Sequence, residues 1–196
     1  MTYKNDHKTL LVLDIDETLI FATTQALSTM AEIKVFHYHV YKRPFLETFL
    51  EAVKEDFLLA IWSSASDDYV AAIVEQIIPK NIPLEFAWGR SRCSYQRNWQ
   101  IEDCGHYHSN NPTHYHYVKP LKKLKKKGYR LERILIVDDS PHKSKRNYGN
   151  AIYPTPFLGD STDKELPLLA QYLKTLKDMS NVRRIEKRNW QQVIAG

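Results

Sequence analysis

Two carboxylates one residue apart follow an apolar segment near the start of the chain. Residues 9–13 read Thr-Leu-Leu-Val-Leu, and Asp14, Asp16 and Thr18 come next. A continuous apolar segment is typical of a buried strand, whereas a half-exposed strand alternates polar and apolar residues. Removing two acidic groups from water is costly unless a bound cation compensates for their charge. The pattern predicts a Mg²⁺-dependent phosphoryl-transfer site at Asp14 and Asp16.

Three apolar segments in all end in polar residues that could take part in this chemistry. The second, residues 57–62, is followed by two serines, and the third, residues 134–137, by two aspartates, with a lysine further upstream. Because the carboxyl ends of parallel strands meet at one edge of an open α/β sheet, we expect these groups to lie near Asp14. The candidates from the second and third segments are Ser63, Ser64, Lys119, Asp138 and Asp139.

These residue types suit the hydrolysis of a phosphate monoester. Asp14 can attack phosphorus to give an aspartyl-phosphate, which divides one difficult step into two easier ones. Asp16 is close enough along the chain to protonate the leaving oxygen and then to activate water. Mg²⁺ prefers hard oxygen ligands and would offset the repulsion between Asp14 and an incoming dianion. Ser63 and Lys119 can bind the phosphoryl oxygens, where negative charge is concentrated during transfer.

Buried strands that alternate with helices must position these groups. Besides the three apolar segments, residues 151–153 are expected to form a fourth, edge-like strand. Helices are predicted from Pro44, which suits a first helical turn, and from Ser66, which suits an N-cap. Two more are predicted within residues 121–127 and 164–179. This alternation indicates the α/β class with a mainly parallel sheet.

The connections between these elements carry weaker signals. Residues 19–30 show no clean period and are predicted to form a loop or irregular turn. Residues 32–42 alternate, which predicts a strand or hairpin arm, with His37 and His39 on a partly exposed face rather than binding a ligand. Phe45 begins a series of apolar residues with helical spacing, and we expect it to face the core.

Composition limits the classes of protein and partner. With 196 residues and 43% hydrophobic content, the chain can form one domain, residues 1–196, around one core. No apolar segment approaches the roughly 18 residues of a membrane helix, and the polar start lacks the apolar core of a signal peptide, so no membrane partner is expected. Cys93 and Cys104 make no disulfide framework, which favours a cytoplasmic location. The net charge of +5 favours anionic partners such as phosphopeptides or nucleic acid.

Two segments stand apart from this plan. Residues 87–117 are rich in aromatic residues, histidine, asparagine and arginine, and are predicted to form an insertion of short strands and loops over the site. Its cysteines and histidines lack a Cys-x-x-Cys pair, so strand faces are favoured over a zinc site. The basic residues of 119–130 favour a solvated helix face over guidance of an anionic substrate, Lys119 excepted. A basic tail at about residues 180–196 is expected to be mobile or to bind a partner.

The motifs resemble those of a known family and occur in its order. Asp14-Ile-Asp-Glu-Thr18 resembles the first motif of the haloacid dehalogenase (HAD) superfamily of phosphatases. With Leu19 it resembles the branch that contains the RNA polymerase II carboxy-terminal-domain phosphatases, the FCP/SCP or NIF-type domain. The resemblance covers about residues 8–179. Its other motifs are Lys42-Arg43-Pro44, a hydroxyl six residues before Tyr69, Arg90-x-x-Cys93, Tyr117-Val118-Lys119 and Asp138-Asp139-Ser140-Pro141.

The resemblance implies a fold and an activity. The fold is a HAD-like Rossmannoid three-layer arrangement with a central mainly parallel sheet and a small β-rich insertion near the active site. The activity is that of a phosphoric monoester hydrolase with Mg²⁺ as cofactor, Asp14 as nucleophile and Asp16 as general acid/base. Asp16 would also give its backbone carbonyl to the metal, and the register of Tyr69 selects Ser63 over Ser64. The candidate metal ligands are Asp14, Asp16, Asp138 and Asp139, and the candidate substrate-binding residues are Thr18, Ser63, Ser64, Arg90 and Lys119.

Three functions stay open at this point. The leading hypothesis is a phosphatase that acts on phosphoserine or phosphothreonine in proteins. Alternative substrates are a nucleotide, a nucleic-acid end or a small metabolite, because basic charge and aromatic residues also suit nucleic acid. A non-catalytic phosphopeptide- or protein-binding module would keep the pocket for recognition alone. The segment between Cys93 and Tyr117 is longer than the usual connection of the family, so a preference for phosphoserine beside proline is not carried over.

Overall fold

A computed structural model of the chain describes residues 2–28, 31, 33–97, 115–147 and 149–195. Within these ranges a main sheet of five strands lies beside a three-stranded sheet and a two-stranded ribbon. The strands are Thr9–Leu13 (β1), Ile20–Thr23 (β2), Ile33–Val35 (β3), Tyr38–Lys42 (β4), Phe57–Trp62 (β5), Leu84–Trp88 (β6), Ser94–Arg97 (β7), Tyr115–Val118 (β8), Ile134–Val137 (β9) and Ala151–Ile152 (β10). The α-helices are Leu46–Lys54 (α1), Asp67–Ile77 (α2), Lys122–Lys125 (α3), Glu165–Leu176 (α4) and Trp190–Ala195 (α5).

The main sheet has the strand order β10-β9-β1-β5-β6, and all its neighbouring strands are parallel. β1 is central and buried on both faces, as its continuous apolar sequence predicts. Leu11 and Leu13 join the core formed with α1, α2 and α4, whereas Leu10 and Val12 pack with Leu124 of α3 on the opposite face. The predicted α/β class and its three layers are confirmed.

Two strands lie where the sequence analysis did not expect them. Residues 19–30 were predicted to be a loop, and this prediction was wrong for β2, which pairs antiparallel with β4. Four residues are too few to show a period, and the pairing with β4 decides their conformation. β6 is a half-exposed edge strand whose last two residues had been assigned to the insertion. The strand or hairpin arm predicted within 32–42 is confirmed as a hairpin over Ile33–Lys42, with a turn at Phe36, which has φ of 54°.

Helix α1 begins one residue later than the apolar pattern suggests. Leu46, Phe49, Leu50 and Val53 form its buried stripe. Phe45 was expected to face the core, but its side chain is 53% exposed and its φ is 66°. The left-handed conformation at Phe45 turns the chain before the helix starts, so this residue falls outside the stripe. The prediction for Phe45 was therefore wrong.

Buried Arg43 connects β4 to the loop that follows β1. Its guanidinium binds Asp163 through two hydrogen bonds of 2.9 and 2.8 Å and donates to the carbonyl oxygens of Thr18 and Thr155 at 3.1 and 2.8 Å. Replacing Arg43 by methionine leaves Asp163 without its cation and two carbonyls without donors. We expect a loss of about 3–5 kcal/mol in the free energy of unfolding.

Urea denaturation followed by circular dichroism measures this loss, with Arg188→Gln as the control. Arg188 is exposed and pairs with exposed Glu186, and exposed pairs contribute no more than about 1 kcal/mol. Equal unfolding midpoints for the two variants would show that the Arg43 network does not stabilise the fold.

The ends of the predicted insertion form an antiparallel ribbon of β7 and β8. The part of the insertion at residues 98–114 lies outside the described residues.

The described residues of the basic tail pack against the domain. Trp190 is buried, and its indole Nε1 donates to the carbonyl oxygen of Tyr153 at 3.0 Å. The ammonium group of Lys187 donates to the carbonyl oxygens of Gly149 and Ile185, both at 2.7 Å. None of the described helices is long and apolar enough to cross a bilayer.

Candidate active site

Asp14 is the first residue after the central strand of the sheet, and its side chain is buried. Its amide donates to the carbonyl oxygen of Val137 at 2.9 Å, which holds the residue between β1 and β9. Lys119 Nζ lies 2.7 Å from Asp14 Oδ2 and 2.8 Å from Asp138 Oδ2. Burial opposes ionisation of Asp14, but the charges of Lys119 and Lys143 outweigh it and lower the pKa of Asp14. Asp14 is therefore a carboxylate, the form that a nucleophile requires.

Asp16 has the opposite electrostatic environment. Burial raises its pKa above the usual range, and the charge of Asp14 adds to this effect. The Tyr69 hydroxyl donates to Asp16 Oδ1 at 2.8 Å, and the Ser63 hydroxyl donates to Oδ2 at 3.4 Å. Two nearby carboxyl groups with opposite pKa shifts are typical of a division between a charged group and a proton donor. The geometry thus supports the predicted roles of Asp14 and Asp16.

Tyr69→Phe removes the hydroxyl that stabilises the Asp16 carboxylate, while the ring stays packed. The pKa of Asp16 then rises further, so Asp16 keeps its proton to higher pH. We expect the alkaline limb of the pH profile of kcat/KM to move to higher pH, because this limb reports loss of the acid's proton. Tyr38→Phe is the control, since Tyr38 contacts the edge of the Tyr69 ring. A Tyr69→Phe profile that overlays the wild-type profile would contradict the role of Asp16 as acid.

Asp14, Asp138 and Asp139 are buried and form an acidic cluster. One carboxylate oxygen from each lies within 4.8 Å of the others. Burial, with the charge of Asp14, raises the pKa of Asp138 to about 7. Hard oxygens at this spacing suit a magnesium ion. Among the described residues, the lysines that form ion pairs with this cluster are Lys119 and Lys143. The residues present therefore fit a Mg²⁺ ion. The side chain of Asp16 is directed to Tyr69 and Ser63 and is not part of this cluster.

Thr18 and Ser63 each place a hydroxyl against one of the carboxyl groups. The Thr18 hydroxyl donates to Asp139 Oδ1 at 3.1 Å and accepts from the Asp139 amide at 3.2 Å. Thr18 thus orients Asp139, and both hydrogen bonds of its hydroxyl are made to that residue. Ser63 accepts from the Ala65 amide at 3.0 Å and reaches Asp16. Ser63, rather than its neighbour, faces the site.

Arg90 and Ser64 lie at the rim of the site. The Arg90 guanidinium donates through Nε to the carbonyl oxygen of Ser64 at 2.9 Å and lies over the Tyr117 ring, 5.1 Å from its centre. An open cavity of about 620 Å³ extends from Asp16 to this arginine. Its lining residues are Asp16, Ala22, Phe36, His37, Tyr38, Ala65, Ser66, Asp68, Tyr69 and Arg90.

Two residues of the site were missed by the sequence analysis. Tyr69 served only to fix the register of Ser63, although its hydroxyl contacts Asp16. Lys143 lies four residues after Asp139, and its Nζ is 3.4 Å from Asp14 Oδ2. The only sequence signal for Lys143 is its proximity to an acidic strand end, which many surface lysines share.

The cysteine and histidine pattern of the insertion yields no metal-binding group within the described residues. Cys93 has a free thiol whose Sγ donates to the carbonyl oxygen of Ser63 at 3.7 Å. His116 lies beside His142, with ring centres 5.8 Å apart. Cys104 and the remaining histidines of the insertion lie outside the described residues.

The chain is similar to a family of phosphatases and to individual proteins that are named as phosphatases. Residues 9–183 match the model of the NLI interacting factor-like phosphatase family. CTD small phosphatase-like protein 2 of Dictyostelium discoideum is 30% identical over 180 residues, which cover 88% of this chain and 28% of that protein. CTD nuclear envelope phosphatase 1B of Danio rerio is 23% identical over 203 residues, which cover 96% of this chain and 75% of that protein. A second Dictyostelium discoideum relative is matched over 55% of its length, so the chain spans only part of several relatives.

Two solved structures share the fold. The fission yeast RNA polymerase II CTD phosphatase Fcp1, bound to beryllium fluoride, has a TM-score of 0.57 at 15% identity, over 98% of this chain and 63% of that chain. A haloacid dehalogenase-like hydrolase from Xanthomonas campestris has a TM-score of 0.51 at 9% identity, over 86% of this chain and 96% of that chain. At these identities the likeness concerns the fold alone, and it agrees with the predicted HAD-like architecture.

Proposed function

The chain belongs to the NLI interacting factor-like phosphatase family, and from this membership we propose that it is a Mg²⁺-dependent phosphatase of phosphoserine or phosphothreonine in proteins. The observation that carries the proposal is the pair Asp14 and Asp16. The charge of Lys119 helps to keep Asp14 ionised, whereas the pKa of Asp16 is raised. Asp16 also lines the open cavity. Hydrolysis of a phosphate monoester through an aspartyl-phosphate uses one carboxylate as the nucleophile and one protonated carboxyl group as the acid.

The reaction proceeds in two displacements. A carboxylate oxygen of Asp14 attacks phosphorus, the bond from phosphorus to the leaving oxygen breaks, and Asp16 gives its proton to that oxygen. Asp16 then accepts a proton from water as the water oxygen attacks the aspartyl-phosphate. Inorganic phosphate leaves, and Asp14 is a carboxylate again. Lys119 stays at Asp14 throughout and offers positive charge to the phosphoryl oxygens together with the Ser63 hydroxyl.

A magnesium ion would be held by Asp14, Asp138, Asp139 and the backbone carbonyl of Asp16. When bound, it would supply positive charge that offsets the repulsion between Asp14 and a dianionic phosphoryl group. Thr18 contributes by fixing the orientation of Asp139.

A protein substrate is supported by the open cavity of about 620 Å³ beside Asp16 and by the relatives that are described as CTD phosphatases. An open cavity beside Asp16 can accept a chain segment that carries a phosphorylated side chain. A cytoplasmic location belongs to the same proposal, supported by the free thiol of Cys93, which suits a reducing compartment.

A substrate screen tests the function. Purified protein is assayed with Mg²⁺, and separately with EDTA, against an aryl phosphate, phosphoserine, phosphothreonine and phosphotyrosine peptides, nucleotides and 3′- or 5′-phosphorylated oligonucleotides. We expect metal-dependent release of phosphate from phosphoserine or phosphothreonine peptides. Preference for nucleotides or oligonucleotides would show that the substrate is not a phosphoprotein. Phosphopeptide binding without turnover would show that the chain is a recognition module and not an enzyme.

A further inference from the structure

Two lysine ammonium groups converge on one oxygen of Asp14. Lys119 Nζ lies 2.7 Å from Oδ2, and Lys143 Nζ lies 3.4 Å from the same atom. They approach from different segments, because Lys119 follows β8 and Lys143 lies in the turn after β9. The site therefore holds a cation beyond the lysine that the sequence motifs identify.

The two lysines differ in exposure and in their partners. The Lys119 side chain is 0% exposed and is held between Asp14 and Asp138 by short contacts. The Lys143 side chain is 18% exposed, and Asp14 is its one ion-pair partner within the described residues. An ammonium group carries three donors. Lys143 thus stands on the solvent side of Asp14 with donors available to an incoming anion.

Backbone hydrogen bonds hold the segment that carries Lys143. The Lys119 amide donates to the carbonyl oxygen of Lys143 at 2.9 Å. Buried Asn147 strengthens this connection, since its Nδ2 donates to the carbonyl oxygen of Lys119 at 2.7 Å and its Oδ1 accepts from the Leu121 amide at 3.1 Å. The Lys143 side chain can turn from Asp14 to a ligand without displacing the segment that carries it.

We propose that Lys143 is a second phosphate-binding residue, which holds the phosphoryl oxygens of a dianionic monoester on the solvent side of Asp14. The proposal rests on the phosphatase function proposed above and adds a specificity for the fully charged phosphoryl group. When the dianion enters, it lies between Asp14 and solvent, where the Lys143 ammonium, 3.4 Å from Asp14 Oδ2, can donate to it. The product phosphate carries the same oxygens, so Lys143 binds it too.

The test compares Lys143→Gln with Lys145→Gln, which removes an exposed charge from the same segment. KM and kcat for an aryl phosphate and the inhibition constant of inorganic phosphate are measured with Mg²⁺ at constant ionic strength. Lys143→Gln should raise KM and the inhibition constant about tenfold or more, as expected for loss of one charged hydrogen bond. Lys143→Arg should recover most of this loss, and Lys145→Gln should stay within about twofold of wild type.

A second measurement uses the wild-type protein and does not depend on the folding of a variant. Inorganic phosphate with Mg²⁺ should protect Lys143, but not Lys145, from acylation by an amine-reactive reagent, as read by peptide mass spectrometry. Equal phosphate inhibition constants for wild type and Lys143→Gln, or no protection of Lys143, would overturn the proposal. An effect confined to kcat or to thermal stability would also overturn it. A wild-type protein without turnover would overturn the phosphatase function itself, which separates the two failures.

Discussion

Asp14→Asn is expected to abolish phosphatase activity, by more than about 10⁴-fold in kcat, as loss of a catalytic nucleophile does in other enzymes. The amide has the shape of the carboxylate but is too weak a nucleophile to form the acyl-phosphate bond of the aspartyl-phosphate. The fold should survive, because Lys119 keeps Asp138 as an ion partner at 2.8 Å and the amide oxygen can still accept from the Ile15 amide. Turnover of an aryl phosphate with Mg²⁺ measures the activity, and circular dichroism with a thermal melt measures the fold.

The matched control for this substitution is Asp178→Asn, which changes the same functional group at an exposed position after α4. We expect wild-type kcat and KM from it. Near-wild-type turnover by Asp14→Asn, in a preparation free of other phosphatases, would remove Asp14 from the mechanism.

Asp16→Asn is expected to lower the rate by about 10²–10⁴-fold, the range for loss of a general acid or base. The loss should depend on the leaving group. A serine alkoxide needs a proton as it departs, whereas a phenolate with a low pKa leaves without one. Formation of the aspartyl-phosphate should therefore slow much more with a phosphoserine peptide than with an activated aryl phosphate.

Single-turnover kinetics with both substrates separate this step from the later hydrolysis. Hydrolysis of the aspartyl-phosphate should slow equally for both substrates, because the same water must be activated once the leaving group has gone. A loss of equal size in the first step for both substrates would show that Asp16 does not act as the acid. The Ser63 and Tyr69 hydroxyls can still hydrogen-bond to the amide, so the local structure should be retained.

The elements that build the site could be predicted from short-range signals. β1, β5 and β9 are continuous apolar segments, and each ends in polar side chains, so their parallel pairing brings Asp14, Ser63 and Asp138 to one edge of the sheet. Lys119 was predicted from its place upstream of β9, and in the structure it joins Asp14 to Asp138. These features depend on one strand at a time and on a general rule for parallel sheets.

The residues that were missed depend on contacts between distant segments. Lys143 reaches Asp14 across 129 positions of the chain, and Tyr69 reaches Asp16 across 53. No local period records such contacts, since the direction of a side chain is set by the packing of the whole element. The wrong predictions for β2 and Phe45 have a similar origin, because neither conformation is recorded in the local pattern of apolar residues. Antiparallel pairing with β4 makes residues 20–23 a strand, and a left-handed backbone turns Phe45 away from the core.

Chemical trapping of the covalent intermediate tests the account most directly. Wild-type protein is mixed with an aryl phosphate and Mg²⁺, quenched in acid during turnover, digested and analysed by mass spectrometry. A phosphoryl group is expected on the peptide that contains Asp14, and it should be absent from Asp14→Asn protein treated in the same way. Rapid turnover with no phosphorylated peptide, or with the phosphoryl group on another residue, would contradict Asp14 as the nucleophile.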